Sequence, residues 1–164
     1  MAKRNEHLIV LMFDEVPKGK FEIWPLKLTI VPWFPCEDEQ KLDKLLVQIA
    51  KKIKKFTITT GQLEIWGKKS QVEVIRIEDS KPLHSLHWQI FHNLEKNGFP
   101  VHQKDYLGDK YRAHLTVRNR QQIIYRDMPA GTKLRVKEFW LVHQERQKKS
   151  GRMIKSMKKA YELA

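Results

Sequence analysis

The apolar residues of the chain fall into segments that have either the pattern of β-strands or the pattern of amphipathic helices. The run Leu8–Phe13 is apolar at every position, and it lies in a first strand that we predict over His7–Val16. Such an uninterrupted run is typical of a strand that is buried on both faces. A second extended segment is predicted over Phe21–Phe34, because Pro25 and Pro32 disfavour a continuous helix there. We expect the first strand to be central in its sheet.

Two segments have instead the 3.6-residue period of amphipathic helices. The first is predicted over Glu37–Lys55, with acidic residues at its start and lysines at its end, as the helix dipole favours. The second is predicted over Lys81–Asn97, with Ser80 as the N-cap and Gly98 directly after its end. Each helix has one apolar stripe that can pack against a sheet.

The remaining patterned segments are rich in strand-forming residues. A hairpin and two further strands are predicted over Phe56–Trp66, Gln71–Ile77, Tyr111–Arg118 and Lys133–His143. The last segment, Gly151–Leu163, is compatible with a strand or a short helix, since its periodicity favours neither. Helices separated by antiparallel strands are typical of an α+β fold rather than a doubly wound parallel sheet. We expect a single domain over residues 1–164 with two pseudo-symmetric lobes.

The strand predicted over Tyr111–Arg118 has one apolar face and one face suited to chemistry. Alternate residues of a strand point to opposite faces. The polar face therefore carries Arg112, His114, Thr116 and Arg118. An imidazole beside a hydroxyl and two guanidinium groups offers a proton shuttle near neutral pH and donors for an anion such as phosphate. For these eight residues alone, an amphipathic strand with a polar outer face is the simpler explanation.

The same pattern occurs earlier in the chain, over Leu26–Ile30. There Lys27 stands in the position of the histidine and Thr29 in that of the threonine, and apolar residues take the alternate positions. This repetition shifts the balance towards a functional site to which both halves of the chain contribute.

Composition adds a strong positive charge to this picture. The 32 Lys and Arg residues outnumber the 19 Asp and Glu residues, which gives a formal net charge of +13. Such an excess attracts polyanions, of which RNA and DNA are the commonest for a cytosolic protein. A basic stretch near the end of the chain is a candidate surface for an RNA backbone, with a solvated strand edge as the alternative; it comprises Arg146, Lys148, Lys149, Arg152, Lys155, Lys158 and Lys159.

No pattern in the sequence indicates a membrane span, a secretion signal or a metal site. No apolar run approaches the roughly 18 residues that a span needs, so we expect a cytoplasmic protein, and we expect a monomer. Cys36 is the only cysteine, which excludes an internal disulfide. His84 and His87 lie three positions apart, but no carboxylate or cysteine cluster accompanies them, and helix-surface histidines are the favoured interpretation. We predict no metal and no cofactor.

The two motifs resemble the paired His-x-Thr motifs of the 2H phosphoesterases, the superfamily of 2′-5′ RNA ligases and cyclic phosphodiesterases. The segment His114-Leu115-Thr116-Val117 matches the second motif fully, and Lys27-Leu28-Thr29-Ile30 matches the first except at the histidine. The order of strands and helices is also similar over nearly the full length. The resemblance implies a bilobal α+β fold, with two antiparallel sheets, helices outside and a central cleft between the motifs.

The resemblance also implies a metal-independent reaction at phosphorus. In that superfamily one histidine is the general base on water or a hydroxyl. The other protonates the departing oxygen of a 2′,3′-cyclic phosphate or a 2′-5′ linkage, and the threonines hold phosphoryl oxygens. In-line displacement places nucleophile and leaving group on opposite sides of phosphorus, which is why two titratable groups are wanted. The catalytic residues implied for this chain are His114, Thr116, Thr29 and Lys27.

Lys27 is the main departure from the family pattern. A lysine with the ordinary pKa of about 10.4 is protonated at pH 7 and is no base. A protonated Lys27 would stabilise developing negative charge or donate a proton to the leaving alkoxide, with His114 as the base. Our hypothesis is therefore a phosphoesterase that acts on RNA 2′,3′-cyclic phosphate or 2′-5′ phosphodiester linkages. The alternative is a catalytically impaired RNA- or nucleotide-binding module of the same fold.

Several residues near the motifs are candidate substrate contacts. The candidate phosphate contacts are Arg112, Arg118 and Arg120. Tyr111 offers a surface for base stacking, as does Trp33, for which core packing is favoured. His143 lies on the strand after the second motif, where it faces either the cleft or the packed interior. The expected partner is RNA or a small nucleotide.

Overall fold

The protein, described by a computed structural model over residues 6–68, 71–102, 107–118 and 128–164, consists of strands and two helices. The helices are Glu39–Lys52 (α1) and Lys81–Lys96 (α2), and Gly108–Lys110 forms a 3₁₀ turn. The strands within the described ranges are Glu6–Met12 (β1), Lys20–Phe21 (β2), Lys27–Pro35 (β3), Phe56–Trp66 (β4), Val72–Ile77 (β5), His114–Arg118 (β6), Lys133–Val136 (β7), Glu138–Arg146 (β8) and Met153–Glu162 (β9).

The strands form one antiparallel sheet in the order β2-β9-β8-β1-β3-β6-β5-β4-β7. β1 lies between β8 and β3, with residues 7–11 buried, which confirms that it is central. The first half of the sheet runs from β2 to β3, and the second half runs from β6 to β7. The halves meet where Leu28 of β3 is paired with Leu115 of β6. The predicted α+β fold is confirmed, and its two expected sheets are joined through this pair.

Within the described ranges, both helices lie on one face of the sheet, and the other face has none. The main core lies on the helix face and includes apolar residues of both helices together with Leu28 and Leu115. The opposite face, which we call the open face, carries a smaller cluster. Its buried members are Leu8, Val10 and Val142, and tryptophans pack around them.

Helix α1 is shorter than its hydrophobic pattern predicts. Its start is fixed by Asp38, whose carboxylate accepts a hydrogen bond from the backbone N–H of Lys41 at 3.0 Å. It ends at Lys52, and Ile53 is already extended. The Ile53 carbonyl accepts from the backbone N–H of Ala164 at 2.8 Å. Pairing with the C-terminal residues therefore replaces the last helical turn.

The boundaries of α2 follow the prediction. The Ser80 hydroxyl accepts from the backbone N–H of Leu83 at 3.2 Å, which confirms the N-cap. The chain leaves the helix at Gly98, where φ is +85°. Glycine adopts this left-handed conformation without a steric penalty.

Two extended segments differ from their predicted form. The segment predicted over Phe21–Phe34 is interrupted between β2 and β3, where the Asp14 carboxylate accepts from the backbone N–H of Leu26 at 3.0 Å. The segment Gly151–Leu163, which the sequence left open, forms strand β9. It pairs with β8 over nearly the whole length of β8.

Candidate active site

The two predicted motifs lie on neighbouring antiparallel strands. Leu28 and Leu115 are paired between β3 and β6, and both side chains are fully buried in the core on the helix face. Because side chains alternate along a strand, their neighbours point to the open face. Continuing the register places Thr29 opposite His114 and Lys27 opposite Thr116. The structure thus brings together the four residues implied to be catalytic: Lys27, Thr29, His114 and Thr116.

His114 is held in a single tautomer by the backbone. Its Nδ1 lies 2.9 Å from the carbonyl oxygen of Arg112. A carbonyl only accepts, so Nδ1 carries the proton and Nε2 keeps its lone pair. Burial lowers the pKa of His114 below its ordinary value of 6.5, and the positive charges of Lys27 and Arg112 lower it further against the opposing effect of this hydrogen bond. His114 is therefore mainly neutral at pH 7, in the form of a general base.

Lys27 is desolvated next to another lysine. Burial, and secondly the positive charge of Lys155, lowers the pKa of Lys27 to about 8. Its Nζ donates to Thr29 Oγ1 at 3.1 Å and lies 4.8 Å from the centroid of the Trp24 ring. The Thr29 hydroxyl accepts from Lys27, so its own proton stays available for an anion. Lys27 is mainly protonated at pH 7 but loses its proton far more easily than an exposed lysine.

Tyr111 is packed against α2 and bonded to β3. Its hydroxyl donates to the carbonyl oxygen of Thr29 at 2.7 Å, and its ring is stacked on His87 with the centroids 3.9 Å apart. Burial raises the pKa of its phenol far above the ordinary value. His87 covers one face of the Tyr111 ring. Through its hydrogen bond to the Thr29 carbonyl, Tyr111 fixes the backbone of β3 at the site.

His87 is buried inside this arrangement, which shows that the interpretation as a helix-surface histidine was wrong for this residue. Its ring is fully inaccessible to solvent. Nδ1 lies 2.7 Å from the Ile30 carbonyl, and Nε2 accepts from the backbone N–H of Gly108 at 2.9 Å. Nδ1 therefore donates, both nitrogens are satisfied, and burial lowers the pKa of His87 to about 4. His84 is exposed, as expected.

Arg112 stands at the mouth of the site. Its guanidinium carbon lies 4.9 Å from the centroid of the Trp66 ring, and the centroid of the same ring lies 4.5 Å from that of His114. Two pockets adjoin Arg112 and His114, one on the side of Thr29 and one on the side of Trp66. The predicted phosphate contact Arg112 therefore lies where an anion bound at His114 would be.

The sequence analysis missed Trp66 and Arg76. Arg76 of β5 is paired with His114 in the antiparallel ladder, so both side chains lie on the open face. Arg76 is also 3.7 Å from the Glu64 carboxylate. The signals in the sequence were that Trp66 is an aromatic residue at the end of a strand, before Gly67, and that Arg76 lies in the apolar segment of β5.

Two other predicted contacts, Arg118 and His143, are not part of this cluster. Arg118 lies beyond Thr116 on β6, with a guanidinium nitrogen 3.5 Å from the Glu73 carboxylate. His143 is paired with His7 on the helix face of the sheet, with the ring centroids 5.1 Å apart, and thus points away from His114. Arg120 lies outside the described residues.

The described ranges contain neither a cluster suited to a metal nor a membrane-spanning helix. No group of three or more His, Cys, Asp and Glu residues in them could hold a metal ion. No helix in the same ranges is long and apolar enough to cross a membrane. Cys36 is buried, and burial raises the pKa of its thiol to about 11, which keeps it protonated at neutral pH.

Comparisons with solved structures find proteins of similar fold. The fold is similar to TT0787 of Thermus thermophilus, with a TM-score of 0.69 and 15% identity over 96% of this chain and 97% of that chain. It is also similar to E. coli LigT in apo form, with a TM-score of 0.63 and 15% identity over 99% of both chains. E. coli LigT complexed with 3′-AMP gives a TM-score of 0.61 and 16% identity over 99% of both chains.

The sequence itself has no significant match among curated proteins. The sequence model of the 2′-5′ RNA ligase superfamily, however, matches residues 17–148, a range that contains both motifs. The chain therefore belongs to the 2′-5′ RNA ligase superfamily.

Proposed function

We propose that the protein is a metal-independent phosphoesterase that opens RNA 2′,3′-cyclic phosphates or cleaves 2′-5′ phosphodiester linkages. The observation that carries this proposal is the pairing of β3 with β6, which gathers an imidazole, a lysine of lowered pKa and two threonines on one face. The related E. coli LigT has been crystallised with 3′-AMP and with phosphate, ligands of the class that such a site would take.

The geometry suggests a division of roles between His114 and Lys27. The free Nε2 of His114 takes a proton from water as the water oxygen attacks phosphorus. The bond from phosphorus to the leaving ribose oxygen breaks, and the Lys27 ammonium protonates that oxygen. The hydroxyls of Thr29 and Thr116 donate to the phosphoryl oxygens, and Arg112 stabilises their negative charge. One water is added overall, and solvent returns both groups to their starting protonation states.

The environment of each group supports this division. His114 has a pKa below 6.5 and is in its basic form at pH 7. Lys27 has a pKa of about 8 and is in its acidic form at the same pH. Two titratable groups whose pKa values leave one as a base and the other as an acid are typical of acid–base catalysis.

The direct test is incubation with 2′,3′-cyclic phosphate-ended oligoribonucleotides and with 2′-5′ linked oligoadenylates in EDTA. We expect turnover of at least one of these, reduced roughly 10²- to 10⁴-fold by His114→Ala, because that change removes the general base. His92→Ala, at an exposed position of α2, serves as the matched control. Turnover that is equal in wild type and His114→Ala would refute the proposal.

The second candidate function is binding without turnover, favoured by the lysine that stands in the position of the first histidine. It predicts salt-sensitive RNA binding with no product. A gain of activity in Lys27→His, with wild type inactive, would favour this alternative. It would also show that the rest of the site is competent.

A further inference from the structure

A large groove lies on the open face, in the first half of the sheet. Its volume is about 890 Å³, within the range of sites that hold small organic ligands. We call it the tryptophan groove and define it by Trp24, Trp33, Gln144, Arg146, Arg152 and Lys155, which line it. Gln144 and Lys155 are paired across β8 and β9, and Gln144 is also paired with Glu6 of β1.

The tryptophan groove and the candidate active site share the side chain of Trp24. The ammonium of Lys27 lies 4.8 Å from the centroid of the Trp24 ring, and that of Lys155 lies 5.7 Å from the same centroid. The side chain of Trp24 therefore lies between the groove and the ammonium of Lys27.

The charge of the groove is net positive. Its basic residues are Arg146, Arg152 and Lys155, and its acidic residues are Glu6 and Glu22. The Glu22 carboxylate lies 3.6 Å from the guanidinium of Arg152. The Glu6 carboxylate lies 3.7 Å from the imidazole of His102. The ammonium of Lys155 is held in the groove by the Glu22 carbonyl, to which it donates at 2.6 Å.

The basic stretch seen in the sequence is divided between the two faces of the sheet. Arg146, Arg152 and Lys155 line the groove. Lys158 and Lys159 instead contact the helix face, at 3.9 Å from Glu39 and 2.8 Å from Asp43 of α1. Arg146, Arg152 and Lys155 are thus the members of this stretch that line the groove beside its two tryptophans.

Indole rings next to cations are suited to single-stranded nucleic acid. Bases stack on the rings irrespective of sequence, while the cations contact the phosphates. An acidic peptide would use the cations but leave the indoles without a planar partner. Resting on the proposed function, we propose that the tryptophan groove binds nucleotides adjacent to the scissile linkage, so that the preferred substrate is a single-stranded oligoribonucleotide rather than a cyclic mononucleotide.

The test compares two double variants that remove the same charge. Arg146→Gln with Arg152→Gln changes the groove, and Lys148→Gln with Lys149→Gln changes exposed neighbours that do not line it. We expect the groove variant to lower kcat/KM for a cyclic phosphate-ended octaribonucleotide about tenfold through KM, since two phosphate contacts are lost. Hydrolysis of the cyclic mononucleotide stays within about twofold in both variants, because neither pair contacts the reacting groups.

Equilibrium binding of a labelled octaribonucleotide provides an independent measurement. In the groove variant the slope of log affinity against log salt falls by about 1.4, at roughly 0.7 for each lost phosphate contact. An abasic strand of the same length binds wild type about fivefold or more weakly, because base stacking is lost. Equal binding of the abasic strand, or equal competition by polyglutamate, would overturn the assignment to nucleic acid.

An equal effect of the two double variants on the octaribonucleotide would overturn the location in the groove. The binding measurement also separates this inference from the proposed function. Absence of turnover with every substrate contradicts the phosphoesterase, whereas octaribonucleotide binding that depends on Arg146 and Arg152 supports the groove in either case.

Discussion

The residue with the largest consequence for the chemistry is Lys27, which stands where the first family motif has a histidine. Its desolvation beside Trp24 and the charge of Lys155 bring its pKa down to about 8. At neutral pH such a lysine is still charged, yet it can give up its proton far more readily than a solvated lysine. The local environment thus suits Lys27 to replace a protonated histidine as general acid.

The role proposed for Lys27 predicts a bell-shaped pH dependence. kcat/KM rises with pH as His114 loses its proton, at a pH below the ordinary histidine pKa of 6.5. It falls as the pH rises through about 8, because Lys27 then loses its proton. Lys27→Arg keeps the charge, but a guanidinium has a pKa above 12 and donates no proton in this range. We expect activity to fall roughly 10²-fold or more, and the descending limb near pH 8 to disappear.

Measurement of the pH–rate profile from pH 5 to 10 checks this expectation. Lys20→Arg, at an exposed position of β2, is the control and keeps the wild-type profile. A descending limb that is unchanged in Lys27→Arg would show that another group is the acid.

Alternation along a strand was enough to predict which motif residues share a face, as Lys27 with Thr29 and His114 with Thr116 show. It was not enough for His143, because the period of two fixes neighbours within a strand but not which face of the sheet each set occupies. Trp66 and Arg76 reach the site only through the register of β4, β5 and β6. That register depends on tertiary pairing, which a single sequence does not reveal.

At the scale of elements, α2 positions the backbone on both sides of the site. His87 bonds the Ile30 carbonyl of β3 on one side and the Gly108 backbone N–H on the other. The ring of His87 also stacks on Tyr111, whose hydroxyl donates a hydrogen bond to the Thr29 carbonyl. One histidine of a helix therefore links the strand of the first motif with the segment that leads into the second.

This link predicts a large loss of stability for His87→Phe. The phenyl ring can still stack on Tyr111, but a buried carbonyl and a buried N–H lose their partners. We expect the free energy of unfolding to fall by about 2–4 kcal/mol. Urea denaturation of the variant gives this value, and His84→Phe, one turn earlier on the exposed face of α2, changes it by about 0.5 kcal/mol or less. Equal losses in both variants would contradict the structural role of His87.

The elements themselves were largely predictable, because caps and periodicity are local properties. Asp38 and Ser80 fix the two helix starts through their own hydrogen bonds. The end of α1 was not predictable, since Ile53 is drawn into pairing with the C-terminal residue Ala164. Local pattern identifies an element, whereas a partner distant in the chain decides where it stops.

At the scale of the whole molecule, two buried histidines make stability sensitive to acid. Burial lowers the pKa of His7 to about 4, with His143 as the second cause, and burial likewise lowers the pKa of His87 to about 4. Around His7, Lys158 also lowers the pKa, whereas Glu39 raises it. The Nε2 atom of His7 lies 3.5 Å from a carboxylate oxygen of Glu39.

The sign of the effect follows from the two states. Between about pH 4 and 6.5 the unfolded chain binds these protons and the folded chain does not, so stability falls as pH is lowered through this window. From pH 7 to pH 5 we expect a loss of about 2 kcal/mol for each histidine.

Urea denaturation at the two pH values measures this loss. His7→Leu reduces the difference by about 2 kcal/mol, whereas His92→Gln, on the exposed side of α2, leaves it unchanged. An unaltered difference in His7→Leu would mean that other groups govern the acid sensitivity.

The pairing of Leu28 with Leu115 has a further consequence for how activity arises during folding. Lys27 and Thr29 belong to one half of the sheet, and His114 and Thr116 belong to the other. In the proposed mechanism, a chain in which only one half has formed holds a base without an acid, or an acid without a base. Catalytic turnover would therefore report on the docking of the two halves, and recovery of activity after denaturation would trail the formation of either half alone.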